Sequence, residues 1–222
     1  LLASSAASDV YKRQTLSYAN KIFLDVTGRN DWSSTLPSGN NSFFYPSVST
    51  SFILSDLLRL PEQISFAKLR ASWAQVGNDT APYKTAKYYN TSAFPGSASV
   101  SPTLYNARFK PEISNSIEVG LDWRMFKQRF GLDLAFYNNI TRNQILDVPM
   151  DQTTGYTKAT MNSGKVRNRG IELQLDGTPV KTKNFTWNST FTWAKNYNKV
   201  LSLAAGLTDG QTIACLLYTS PS

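Results

Sequence analysis

Five carboxylates, Glu118, Asp122, Asp133, Glu172 and Asp176, hold most of the chemical capacity of this chain. Paired carboxylates do general acid and base work when burial raises the pKa of one above that of the other. Composition closes off the main alternatives, because the chain has no histidine and a single cysteine, Cys215. Histidine bases, Cys/His metal sites and a thiol nucleophile in the body of the chain are therefore not expected, and no metal or cofactor is assigned. The setting of the five acids also points away from catalysis. Each falls on the polar phase of an alternating run, where a charged side chain is ordinary lining, so no catalytic residue is assigned either.

Those runs are the dominant pattern. Ile171, Leu173 and Leu175 alternate with Glu172, Gln174 and Asp176, and Trp187, Phe191 and Trp193 alternate with Asn188, Thr190 and Thr192. Successive strand side chains point to opposite faces, so each run is a two-faced ribbon. Seven strands are predicted, near 16–29, 43–54, 65–76, 116–125, 130–140, 166–177 and 185–198. Turn-rich or long connections (30–41, 77–111, 141–161) alternate with short ones near Pro61, Phe126 and Pro179.

The expected fold is all-β, an antiparallel up-and-down meander that forms part of a transmembrane β-barrel. The predicted strands, roughly 10 to 13 residues, exceed the usual soluble length of about 5–6. Trp187 and Trp193 share a face about 20 Å apart, close to the height of an apolar membrane band. Ile22, Leu24, Leu121, Trp123, Leu132, Leu134, Leu173, Trp187 and Trp193 are expected on one convex face. Arg70, Glu118, Asp133 and Glu172 are expected on the concave one. A self-contained surface β-sandwich is the alternative, since two packed sheets would bury the same apolar phase.

Net charge is +8, but Lys and Arg are scattered with no basic run, which argues against a nucleic-acid partner. No apolar stretch reaches the roughly 20 residues of a spanning helix. The ends, 4–14 (SSAASDVYKRQ) and 215–222 (CLLYTSPS), resemble the translated adapter of a sequencing library. Residues 1–14 and 215–222 are accordingly set aside, and 15–214 is read as an internal piece of a longer protein.

Residues 108–123 (RFKPEISNSIEVGLDW) and 130–146 (FGLDLAFYNNITRNQIL) resemble the C-terminal barrel of TonB-dependent outer-membrane receptors. Residues 64–79 (ISFAKLRASWAQVGND) and 162–173 (NSGKVRNRGIEL) are similar to the SusC/RagA branch, nutrient importers of Bacteroidetes-type bacteria. The resemblance implies a 22-stranded barrel in the cell outer membrane, in contact with outer-membrane lipid and closed by its own plug domain, of which these residues form about a third of the wall. It also implies energy supplied through TonB, a SusD-like surface lipoprotein as partner, and an oligosaccharide or peptide as cargo. A TonB-dependent siderophore receptor is the alternative within the superfamily. On this reading Arg70, Glu118, Asp122, Asp133, Glu172 and Asp176 line the lumen. Trp32, Tyr88, Tyr89 and Tyr105 are the loop aromatics that could stack on cargo, since such rings offer rigid contact area.

Overall fold

The computed structural model describes residues 7–80, 85, 89–91 and 96–203. Its strands are β1 (Ala7–Tyr18), β2 (Ile22–Ser33), β3 (Ser42–Ile53), β4 (Ile64–Asn78), β5 (Tyr89–Thr91), β6 (Ala98–Val100), β7 (Thr103–Leu104), β8 (Glu112–Met125), β9 (Phe130–Arg142), β10 (Ile145–Pro149), β11 (Lys158–Asn162), β12 (Lys165–Lys181) and β13 (Thr186–Ser202). One antiparallel sheet of eight strands runs β1-β2-β3-β4-β8-β9-β12-β13, so every wall strand pairs with the wall strands before and after it in sequence. This is the expected meander.

Register shows how completely the two faces are separated. Directly opposed side chains on neighbouring strands lie on one face. A single row crosses the whole sheet through Tyr18, Ile22, Phe52, Leu69, Leu121, Leu134, Leu173 and Trp193, and every member is apolar or aromatic. The row beside it on the same face contains Leu16, Leu24, Val119, Phe136 and Ile171. Among the described residues nothing covers this face: Phe191 is 56% exposed, Trp187 54% and Leu134 38%. A sandwich would bury these side chains against a second sheet, and among the described residues no sheet packs there, which overturns the sandwich alternative.

One strand expected over 16–29 is two. Tyr18 and Ile22 face each other across a tight turn in which Ala19 and Asn20 have φ of 51° and 55°, closed by Lys21 N donating to Tyr18 O at 2.9 Å. Positive φ at both central residues is the hairpin turn whose twist matches the flanking strands, usually signalled by glycine. Here alanine fills the first position, so the turn carries no glycine signal. The wall thus has eight strands where seven were expected, and residues 7–14 form the outer part of β1.

Two prolines sit where a sheet can accept them. Pairing of β3 with β4 begins at Ser47, so Pro46, which faces Gly28 in the β2–β3 ladder and lacks an N–H, lies just beyond the β3–β4 ladder. Pro179 falls in the β12 bulge between Gly177 and Val180.

The long connections cluster at one end of the sheet and fold on each other. In the segment expected as a loop over 141–161, β10 and β11 form a hairpin, and β11 takes β7 as a parallel third strand. Five of the seven buried apolar residues described (Leu36, Phe109, Leu146, Val148 and Ala159) lie in these connections, and only Ala67 and Ala135 lie in the wall. The hydrophobic core of the described chain is therefore in the loop cap.

Arginine in place of Leu134 or Leu173 in the full-length protein is expected to impair assembly, because a cation at the lipid midplane costs roughly 2–4 kcal/mol. Arginine at Thr190, on the other face, should be tolerated better. Heat-modifiable gel mobility of the assembled barrel reads the difference, and equal yields would contradict the assignment of faces.

Candidate functional site

Asp122 on β8 and Asp133 on β9 are directly opposed on the polar face. Like charges in that position repel. Each aspartate has its own arginine. Arg124 Nε donates to Asp122 Oδ1 at 2.9 Å, while Arg70 on β4 donates from Nη1 and Nη2 to the two oxygens of Asp133 at 3.2 and 3.0 Å. A two-pronged Arg–carboxylate pair fixes orientation as well as charge. Arg70 Nε also lies 3.8 Å from Glu118 Oε1, so this guanidinium sits between two acids.

Arg70 reaches Asp133 by crossing a strand. Its neighbour on β8 is Gly120, and a Cβ built there would collide with Arg70 Nε and lie 2.7 Å from Cζ. Glycine in a strand interior weakens the strand and often marks a close approach, as it does here. Gly131 repeats the device: a Cβ there would be 3.2 Å from Arg124 Nη1 and 3.4 Å from Asp176 Cβ. Asp176 itself accepts from Gln174 Nε2 at 3.0 Å and Thr190 Oγ1 at 2.9 Å. Glu172 stands beside Ala135 and Ala194 and joins Arg70, Asp133, Gln174 and Thr192 around a shallow open groove.

The register thus brings Arg70, Glu118, Asp122, Asp133, Glu172 and Asp176 onto one face, as the alternation predicts. It also shows what alternation conceals, namely the pairing of Arg70 with an acid 63 positions away and the glycines beneath the arginines.

The loop aromatics are less coherent. Trp32, expected in a loop, lies within β2 opposite Ser42 and is 39% exposed. Tyr89 is exposed on β5 opposite Val100. Tyr105 is half-buried shortly after β7, and Tyr88 lies outside the described residues. What organises the cap is polar. Lys110 N donates to Asn162 Oδ1 and Asn162 Nδ2 returns a bond to Lys110 O, both at 2.8 Å. Ser33 and Thr35 hydroxyls donate to Asp79 Oδ2 at 2.6 and 3.1 Å, and Asn40 Nδ2 donates to the carbonyl of the fully buried Phe109 at 3.2 Å. At the tip of the β10–β11 hairpin, Asp151 caps a short 3-10 turn, and the Thr153 N–H holds its carboxyl below the ordinary carboxylate range.

A family model described as TonB dependent receptor-like, beta-barrel, matches residues 3–214. The chain belongs to that family. It is 33% identical over 202 residues to TonB-dependent receptor P26 of Formosa agariphila, covering 87% of this chain and 20% of that receptor. It is 24% identical over 217 residues to TonB-dependent receptor SusC of Bacteroides thetaiotaomicron, covering 88% and 21%. The chain therefore spans about a fifth of the length of these curated relatives.

Among solved structures, the RagAB peptide importer in its closed-closed state superposes with a TM-score of 0.84 at 23% identity, over 90% of this chain and 23% of that one. The siderophore receptor PirA from Pseudomonas aeruginosa gives 0.60 at 17%, over 87% and 35%. At those identities the likeness is one of fold. The chain is a segment of an outer-membrane β-barrel, and its family is one of receptors and transporters.

Gly120→Ala in the full-length receptor is expected to push the Arg70 side chain off its course and abolish its coupling to Asp133. A double-mutant cycle on Arg70→Ala and Asp133→Ala should give about 0.2–1 kcal/mol in the native background, as for a half-exposed pair, and near zero in the Gly120→Ala background. Unchanged coupling would show that the strand crossing is not needed.

Proposed function

We propose that this chain is part of the wall of a TonB-dependent importer that carries an oligosaccharide or peptide across the outer membrane with a SusD-like lipoprotein at the surface. The supporting observation is the sheet itself: one uncovered face with an apolar row through all eight strands, the other lined by Arg70, Glu118, Asp122, Asp133, Glu172 and Asp176. In a membrane the first face meets lipid and the second the lumen. An open sheet cannot span, because lipid offers no partner to the unpaired backbone groups along β1 and β13. The segment therefore works within a closed barrel, where the charged row faces the plug domain of the same receptor.

The end with long, packed connections is the extracellular one, since outer-membrane barrels keep their short turns in the periplasm. On this reading cargo first meets the loop cap, with Trp32, Tyr88, Tyr89 and Tyr105 as its aromatic contacts. The larger fold overlap with RagAB than with PirA, together with the sequence similarity to SusC, supports the SusC-like branch over the siderophore alternative.

Deletion of the full-length gene from its host decides among the cargoes. Loss of growth on one oligosaccharide or peptide source, restored by the wild-type gene, is expected, as is co-purification of a surface lipoprotein with the tagged receptor. A growth defect confined to iron limitation would select the siderophore reading.

A further inference from the structure

Six cations that look scattered in the sequence converge in the sheet. Arg142 on β9, Lys165, Arg167 and Arg169 on β12, and Lys195 and Lys199 on β13 share the phase of Leu134, Leu173 and Trp193, and so lie on the apolar face. Lys165 opposes Arg142, Arg167 opposes Lys199, and Arg169 opposes Tyr197, with the Arg169 guanidinium 5.3 Å from the centre of the Tyr197 ring. All six lie toward the long-loop end, level with or beyond Phe136, Ile171 and Trp193, with Ile140 the one further aliphatic side chain of β9 among them, opposite Arg167. Every acid of β8, β9, β12 and β13 has the opposite phase, and among the described residues none of the six makes an ion pair.

Uncompensated like charge at such density invites a counter-anion. We propose that this patch binds the phosphates of the phosphorylated glycolipid in the outer leaflet, with the lipid's acyl chains lying along Phe136, Ile171 and Trp193. Position selects this ligand over a soluble anion, because the cations form the upper rim of the apolar band, where headgroups sit. Guanidinium groups match phosphate oxygens in pairs, and lysines add point charge. Tyr197 among them has the apolar body and polar tip favoured at a membrane interface. The proposal rests on the reading that the apolar face meets lipid and that the long connections are extracellular.

The test titrates phosphate-bearing lipid A into the full-length receptor in detergent, reading Tm and the bound fraction by native mass spectrometry. The native protein is expected to gain Tm and retain the lipid, and phosphatase-treated lipid A to do neither. Arg169→Gln with Lys195→Gln should weaken binding on the order of tenfold or more, or Lys195→Gln alone by a smaller factor should the pair fail to assemble. Lys181→Gln with Lys183→Gln, which removes equal charge at the short-turn end, should bind as the native protein does. Full affinity in the rim variants, equal loss in both pairs, equal binding of dephosphorylated lipid, or full competition by equimolar inorganic phosphate would each overturn the proposal. Leu134→Arg separates the levels: normal assembly of that variant would sink the lipid-facing reading, whereas failed assembly beside full affinity in the rim variants would sink the headgroup site alone.

Discussion

Inter-strand register is the constraint on which the rest of this structure depends. The side-chain period along a strand is two, so sliding one wall strand by a single residue would turn its carboxylates onto the apolar face and its leucines onto the polar one. Register is pinned at the short-turn end by three-residue and four-residue turns, at Ala19–Lys21 and at Phe126–Arg129. Across the sheet it is pinned again by side chains. Arg70 reaches Asp133 only if Gly120 lies beneath it, and a slip would put Leu121 or Val119 in that place.

The charge distribution follows from the same constraint. A net charge of +8 looks featureless along the chain, yet on β8, β9, β12 and β13 the sheet sorts it by face. There the acids lie on the polar face, two of them held by Arg70 and Arg124, while Arg142, Lys165, Arg167, Arg169, Lys195 and Lys199 occupy one end of the apolar face. An arginine at the centre of the apolar row would be expensive, and the same arginine at its rim is not, because depth in the bilayer sets the cost. The sheet thus keeps its outward cations at the depth where an anionic headgroup is available to them.

Much of this is legible in the sequence because a two-faced strand writes its fold as alternation. Phe130–Ile140 and Val166–Gly177 can be read that way, with phase as well as extent, and so can the side on which Glu118 and Glu172 stand. What stays hidden is local or long-range. Ala19–Asn20 turns the chain without a glycine, and alternation continues on both sides of it, so two strands read as one. The β10 strand escapes such a reading although Leu146 and Val148 alternate with Asp147, because five residues within a polar connection carry little periodic signal. The Arg70–Asp133 pair and the basic rim depend on register between strands, which no single segment contains. The glycines at 120 and 131 are the available hint, since a strand interior that gives up a side chain usually makes room for another.

The chain also builds two kinds of interior with opposite logic. In the loop cap, which meets water, Phe109, Leu36, Leu146 and Val148 are withdrawn and tied down by Asn40, Asn162 and Asp79, as in any soluble protein. In the wall the large apolar side chains stay outside, and the small Ala67 and Ala135 are the buried ones. Burial from water cannot stabilise such a wall in isolation; it is stabilised when lipid replaces water on one face and neighbouring strands close both edges. The loop cap, with its own core and hydrogen bonds, has no such requirement. Changes in the cap can therefore alter what the receptor meets at the surface while the register of the wall, and with it the barrel, is left intact.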